Sequence, residues 1–178
     1  GVMYNFEILT NIKRNIGRRF LAKSTQLNKF ERLTTFKAAR KIGIVYNKPD
    51  VIKEHLQKII HHFESEGKSV YTLGFVDEKD ISNLLPNYKE SYFCKSDLNF
   101  WKIPHGDRIS KFIQEDFDFL INLDSVGLIE LQGVSTFSKA KTRIGKYFDE
   151  FLFAHDLMVK SSSHEVYGLF IDIIRHIK

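Results

Sequence analysis

Hydrophobic residues recur at two different spacings along the chain, and the spacing changes near residue 41. The first stretch carries apolar residues three or four positions apart: Leu9, Ile12, Ile16 and Phe20. This spacing places them along one side of a helix, which we predict from about Phe6 to Ala22. Basic side chains occupy much of the remaining circumference. A second segment, residues 27–36, shows weaker helical spacing.

From residue 41 onward, short apolar runs alternate with amphipathic stretches. The apolar runs predict strands at residues 41–46, 70–76, 88–94, 117–123, 141–146 and 157–160. The stretches between them predict helices at residues 51–66, 77–85, 107–113 and 125–140, and a last helix capped by Ser163. We expect Asp50 to cap the helix at 51–66 and Gly67 to end it. The alternation predicts an α/β fold, Rossmann-like or flavodoxin-like, with a mainly parallel sheet of five to six strands between two helical layers.

The composition indicates a globular protein and excludes some kinds of site and location. The 178 residues include one cysteine, Cys94, and 43% of them are hydrophobic, which is typical of a globular domain. A single thiol excludes an intramolecular disulfide and any zinc site with two cysteine ligands, so we expect a cytoplasmic location. No apolar run is long enough to cross a membrane as a helix, and basic residues from Lys13 to Arg19 interrupt the stretch that a signal peptide needs.

The basic residues are concentrated at the start of the chain. Residues 1–41 hold ten basic and two acidic side chains, a net charge of +8, whereas residues 42–178 hold 17 basic and 20 acidic ones, a net charge of −3. Such an asymmetry is typical of an interaction arm attached to a mildly acidic body. We therefore divide the chain into a basic helical arm, residues 1–40, and a single α/β domain, residues 41–178.

The arm admits more than one partner. We favour a non-enzymatic binding protein whose arm contacts RNA or a ribonucleoprotein, because Lys and Arg side chains neutralise backbone phosphates. The residues expected to make these contacts are Lys13, Arg14, Arg18, Arg19, Lys23, Lys29, Arg32, Lys37 and Arg40. An anionic membrane surface ranks behind RNA as a partner. The apolar stripe could instead pack on the body or on a second copy, which would make the helix an oligomerisation element.

Polar side chains follow several of the expected strands. In an open parallel sheet, ligands bind beyond the carboxyl ends of the strands, near the point where the strand order reverses. The residues expected there are Asn47, Asp50, Asp77, Asp97, Asp124 and Ser125. They predict, as the alternative function, a small ligand-binding or enzymatic domain whose crevice is partly closed by the loop that carries Trp101.

These crevice residues match no known catalytic pattern. The turn from Tyr46 to Asp50 contains no glycine, so it lacks the fingerprint of dinucleotide-binding turns and of phosphate-binding loops. Two histidines of the helix that follows, His55 and His62, lie two turns apart, too far to share a metal ion. We therefore expect no cofactor, no metal site and no catalytic residue, and we lean against an enzyme.

Two resemblances become visible at the fourth expected strand. The stretch FDFLINLD, followed by a helix and then by SKAKTRIG, is similar to the strand, helix and next strand of the N-terminal half of heptosyltransferase-type glycosyltransferases. It covers residues 117–145 and implies the fold alone. The body, from KIGIVYN through LGFV, KSDLNFWKIP, FDFLINLD and SKAKTRIG, also resembles a family of short bacterial proteins of unknown function. Members of that family carry a basic N-terminal helix before an α/β body, and the resemblance transfers no catalytic residue.

Overall fold

A computed structural model of the chain describes residues 2–25, 35–81 and 83–177. Within these residues six strands form one sheet: β1 (Lys41–Asn47), β2 (Ser69–Val76), β3 (Glu90–Cys94), β4 (Phe119–Asn122), β5 (Thr142–Lys146) and β6 (Leu157–Val159). The α-helices in the same residues are α1 (Val2–Thr25), α2 (Pro49–Ser65), α3 (Asp107–Gln114), α4 (Ile129–Phe137) and α5 (Val166–Ile177). The expected α/β fold with a parallel sheet is confirmed.

The strand order is β3-β2-β1-β4-β5-β6, and every neighbouring pair is parallel. Val45 of β1, for example, lies opposite Leu73 of β2 and Asn122 of β4. This is the Rossmann order and not the flavodoxin order, which decides between the two alternatives that the sequence left open. From β1 the chain adds β2 and β3 outward on one side. It then returns to the other side of β1, where it adds β4, β5 and β6, so the strand order reverses between β1 and β4.

Each face of the sheet has its own core, because alternate side chains of a strand point to opposite faces. One face packs on α2 and α5, with a core that includes Ile42, Ile44, Tyr46, Ile59, Phe63, Leu169 and Ile173. The other packs on α3 and α4, with Val45, Leu73, Phe93, Ile109, Phe112, Leu131 and Val134. Because helices cover both faces, the ends of the strands are the part of the sheet that a ligand can reach.

Four local expectations are wrong. Helix α5 begins at Val166, so Glu165 and not Ser163 occupies its capping position. The described residues of 77–85 form bends and a turn instead of a helix, and Leu85 is 87% exposed, so no core rewards an apolar helix face there. Helix α2 begins at Pro49, with Lys48 in the capping position, and Asp50 lies in its first turn. Helix α4 begins at Ile129, four residues later than expected. Gly67 ends α2 as expected, with a φ of 77° that favours glycine.

Candidate functional site

A cavity of about 680 Å³ opens at the carboxyl end of the sheet, where the strand order reverses. The loops that follow β1, β2, β4 and β6 form its walls, together with the loop that carries Trp101, which contributes Lys102. Its ionisable lining residues include Lys48, His55, Asp77, Lys102, Glu130 and His164. Its apolar wall consists of Val51, Ile52, Phe75, Val126, Leu128 and Val166. A cavity of this size holds a ligand of roughly drug or nucleoside dimensions.

Half of the expected crevice residues lie at this cavity. Asn47, Asp77 and Ser125 line it. The other three carboxylates do not, although their strands end at the same edge. Asp50 is exposed in the first turn of α2, and Asp97 accepts a hydrogen bond from the backbone N–H of Cys94 at 2.9 Å.

Asp124 is buried behind the cavity wall and shapes it. Its carboxylate accepts hydrogen bonds from the backbone N–H groups of Val126 (3.0 Å), Gly127 (2.9 Å) and Leu128 (2.6 Å) and from the side chain of Gln132 (2.9 Å). Burial raises the pKa of Asp124, and these donated hydrogen bonds oppose the rise. The residue therefore fixes the loop before α4 and delays the start of that helix, and it does not itself line the cavity.

A buried lysine joins two walls of the cavity. The ammonium group of Lys146, on β5, donates to the carbonyl oxygens of Ser125 (3.0 Å) and Ser163 (2.9 Å). The Ser125 hydroxyl in turn donates to the carbonyl of His164 at 2.8 Å. These bonds connect the loop after β4 to the loop after β6 and commit the Ser125 hydroxyl to structure. Sequence reasoning missed Lys146 because lysine is rarely buried, and the strand sequence TRIGK does not show the two carbonyl groups that accept its hydrogen bonds.

Two lysines with left-handed backbone line the cavity from different loops. Lys48 has a φ of 54° and Lys102 a φ of 63°, a conformation that non-glycine residues adopt infrequently. Glu130 lies near Lys102; burial raises the pKa of Glu130, and the positive charge of Lys102 opposes this. The cavity thus offers two cationic side chains, carboxylates and an apolar wall. Within the described part of the chain, no three His, Cys, Asp or Glu side chains are grouped closely enough to hold one metal ion.

The basic residues that the structure describes in the arm do not form one exposed surface. Arg14 makes an ion pair with Glu150 and donates to the carbonyl of Gly127 at 3.3 Å. Lys13 lies over the ring of Phe100, 3.9 Å from its centre. Of the other residues expected to bind nucleic acid, Arg18 is half-buried and Arg19, Lys23, Lys37 and Arg40 are exposed. Lys29 and Arg32 lie outside the described residues.

Helix α1 packs on the body through a side that the apolar spacing did not indicate. Gly17 is buried there, and a Cβ added to it would lie 2.4 Å from the Trp101 carbonyl oxygen and 2.7 Å from Ile129. Leu21 is fully buried on the same side. The absent side chain of Gly17 therefore lets the helix backbone approach the Trp101 loop. Leu9, Ile12 and Ile16, by contrast, are 51%, 48% and 37% exposed.

None of the described helices is long and apolar enough to cross a membrane. Comparison with curated proteins and comparison with solved structures each gave no match. A protein family does match, over residues 13–176. The matched region runs from the basic part of α1 to α5 and includes all the cavity walls described above. The chain therefore belongs to DUF6913, a family of unknown function.

Proposed function

We propose that this chain is a binding protein that holds a small, negatively charged organic molecule in the cavity between β1 and β4. The observation that carries the proposal is the position of the cavity, at the reversal of strand order, where open parallel sheets bind their ligands. Its volume of about 680 Å³ is in the range of small-molecule sites.

The charges around the cavity support an anionic ligand that also carries hydrogen-bond donors. Lys48 and Lys102 line it from different loops, and α5 begins at its wall with its positive dipole end. Asp77, Glu130 and Glu165 also line it and would accept hydrogen bonds from hydroxyl or amine groups. A phosphorylated or carboxylated molecule with hydroxyl groups satisfies both sets.

The backbone around the cavity argues against a pyrophosphate cradle. Pro49, the first residue of α2, has no N–H group, and the amides of Val51 and Ile52 donate to the carbonyl of Lys48. The amides before α4 are bound to the buried carboxylate of Asp124. The lysine side chains, and not backbone amides, are therefore the groups that hold the negative charge of the ligand.

A thermal-shift screen followed by calorimetry tests this proposal. The panel contains sugar phosphates, nucleoside monophosphates, hydroxy acids and neutral sugars as controls. We expect anionic members to raise the melting temperature and Lys102→Asn to abolish the shift, because asparagine tolerates the left-handed backbone but carries no charge. The matched control is Lys111→Asn, at an exposed position on α3, which should bind as the wild type does. Binding that survives Lys102→Asn and Lys48→Asn would contradict the proposal.

A second candidate function is an RNA contact through the arm. It is favoured by the exposure of Arg19 and Lys23 on α1 and of Lys37 and Arg40 before β1. Four phosphate contacts would make the logarithm of the affinity fall with the logarithm of salt concentration at a slope of about −3. Filter binding of cellular RNA across a salt series measures this slope, and replacing Arg19 and Lys23 by glutamine should reduce it by about half. A slope near zero would rule out the RNA contact.

A further inference from the structure

The outer side of α1 carries an apolar stripe that the body leaves open. Phe6, Leu9, Ile12 and Ile16 are 72%, 51%, 48% and 37% exposed. Their spacing of three and four residues keeps them on one side of the helix, over a length of about 15 Å. We call these four residues the outer stripe. Exposed apolar groups in a contiguous row mark an interaction surface more often than isolated ones do.

The body fixes the orientation of this stripe. Gly17 and Leu21 pack inward, and Arg14 is tied to Glu150 and to Gly127. On the N-terminal side, Val2 and Met3 are 86% and 87% exposed, so the first turns extend away from the body. Such turns are marginally stable alone in water and gain most when an apolar environment covers them.

Positive charge borders the stripe. Helix α1 carries five basic residues and one acidic residue, Glu7, for a net charge of +4. Arg19 and Lys23 are exposed and follow Ile12 by seven and eleven residues, about two and three helical turns. They therefore lie on the same side of the helix as the outer stripe, beyond its last residue, Ile16. A partner of this surface must bury apolar side chains and must also supply negative charge.

We infer that α1 binds an anionic lipid surface, lying in the plane of the interface with the outer stripe among the acyl chains and with Arg19 and Lys23 at the lipid phosphates. An anionic bilayer supplies both an apolar interior and negative charge. RNA supplies the charge but no apolar region for the stripe. A second copy of the chain would bring a helix of equal positive charge against the first. This inference is independent of the ligand proposed for the cavity.

Co-sedimentation of the full chain with vesicles tests the inference. One set of vesicles is phosphatidylcholine alone, and in the other set part of the phosphatidylcholine is replaced by phosphatidylglycerol. We expect binding to the anionic vesicles only, with an affinity that falls as salt is added. Arg19→Gln and Lys23→Gln should each weaken binding by about fivefold. Ile12→Asp should weaken it by more than tenfold, because it places a charge in the apolar stripe.

Controls separate a lost surface from a lost fold. Ile12 is half-exposed, so Ile12→Asp should keep the wild-type thermal unfolding curve. Leu85→Asp introduces the same charge at an exposed apolar position in the β2–β3 connection and should bind vesicles as the wild type does. Equal pelleting of wild type and Ile12→Asp would overturn the inference.

Two further results would each assign the stripe to another occupant and so refute the lipid proposal. The first is a dimer in sedimentation equilibrium that Ile12→Asp dissociates, with no binding to either vesicle. The second is salt-dependent RNA binding that Ile12→Asp weakens, again with no binding to either vesicle.

Discussion

The walls of the cavity and the surface of α1 are held in place by different kinds of interaction. The cavity walls depend on buried polar groups. Asp124 holds the loop before α4 through local hydrogen bonds, and Lys146 joins the loops after β4 and β6. Helix α1 depends on close backbone packing at Gly17 and on a partly exposed ion pair. The comparison indicates that the cavity walls are a rigid part of the fold. Detaching α1 from the body should cost less free energy than disrupting those walls.

The largest expected effect comes from the cavity side. Asp124→Ala leaves three backbone N–H groups and the buried Gln132 amide without their acceptor, which we expect to lower the free energy of unfolding by about 3 kcal/mol. Urea denaturation measures this loss. Asp77→Ala, at a largely exposed carboxylate, should change the free energy by less than about 0.5 kcal/mol. Equal stability of the two variants would show that Asp124 does not brace the loop.

The next effect should separate α1 from the body. Gly17→Val places a side chain against the Trp101 carbonyl and Ile129. We expect this clash to destabilise the packing of α1 on the body by about 2 kcal/mol, so that the helix detaches. Trp101 is the single tryptophan of the chain, so its fluorescence should shift to longer wavelength as the helix leaves. Asn15→Val, at an exposed position of α1, is the control. An unchanged spectrum in Gly17→Val would mean that α1 does not pack at this point.

Acid should lower the free energy of unfolding of the body and should affect the packing of α1 less. Burial, with a smaller effect from Arg143, lowers the pKa of His155 to about 3, so the folded protein keeps this ring neutral. Below about pH 6.5 the unfolded chain binds a proton that the folded state excludes. Stability is therefore lost as the pH falls from about 6.5 toward 3, by about 2 kcal/mol at pH 5.

Urea denaturation at pH 7 and pH 5 measures this difference. His155→Gln should remove most of the difference in the free energy of unfolding between the two pH values, whereas His61→Gln, at an exposed position on α2, should retain the wild-type difference. A wild-type difference in His155→Gln would show that His155 does not cause the loss of stability in acid.

The smallest effect should come from the ion pair that attaches α1. Arg14 is partly buried and Glu150 is 52% exposed, and such pairs contribute at most about 1 kcal/mol. Arg14→Ala should therefore shift Trp101 fluorescence only slightly at low salt. A double-mutant cycle with Glu150→Ala would give the coupling energy, and a value above about 2 kcal/mol would place the ion pair among the main attachments of the helix.

The sequence could predict the strands from short apolar runs, such as residues 42–46 in β1 and 119–121 in β4, but it could not predict their order. That order depends on how each crossover places the next strand, and no local pattern records it. The start of α4 was missed for a similar reason: Asp124 binds the amides that would otherwise begin the helix. The division into an arm and a single domain stays a prediction.

Part of the candidate site could be predicted from position alone. Asn47, Asp77 and Ser125 follow strand ends and line the cavity. The Trp101 loop was expected at the crevice, but Lys102 was not singled out in it, because which residue of an irregular loop lines a cavity depends on the backbone conformation and tertiary packing of that loop. The apolar pattern also could not predict which side of α1 packs on the body. The pattern assumes that apolar side chains pack inward, but at Gly17 the helix backbone itself makes the contact.

The contact of α1 with the body has a thermodynamic consequence. The helix contacts the carbonyls of Trp101 and Gly127 and the side chain of Ile129, and the next residues along the same two loops are cavity residues, Lys102 and Glu130. A molecule that favours one arrangement of these loops changes the equilibrium for attachment of α1. By linkage, a partner of α1 that binds the attached and the detached helix with different affinities would change the affinity of the cavity by the same factor.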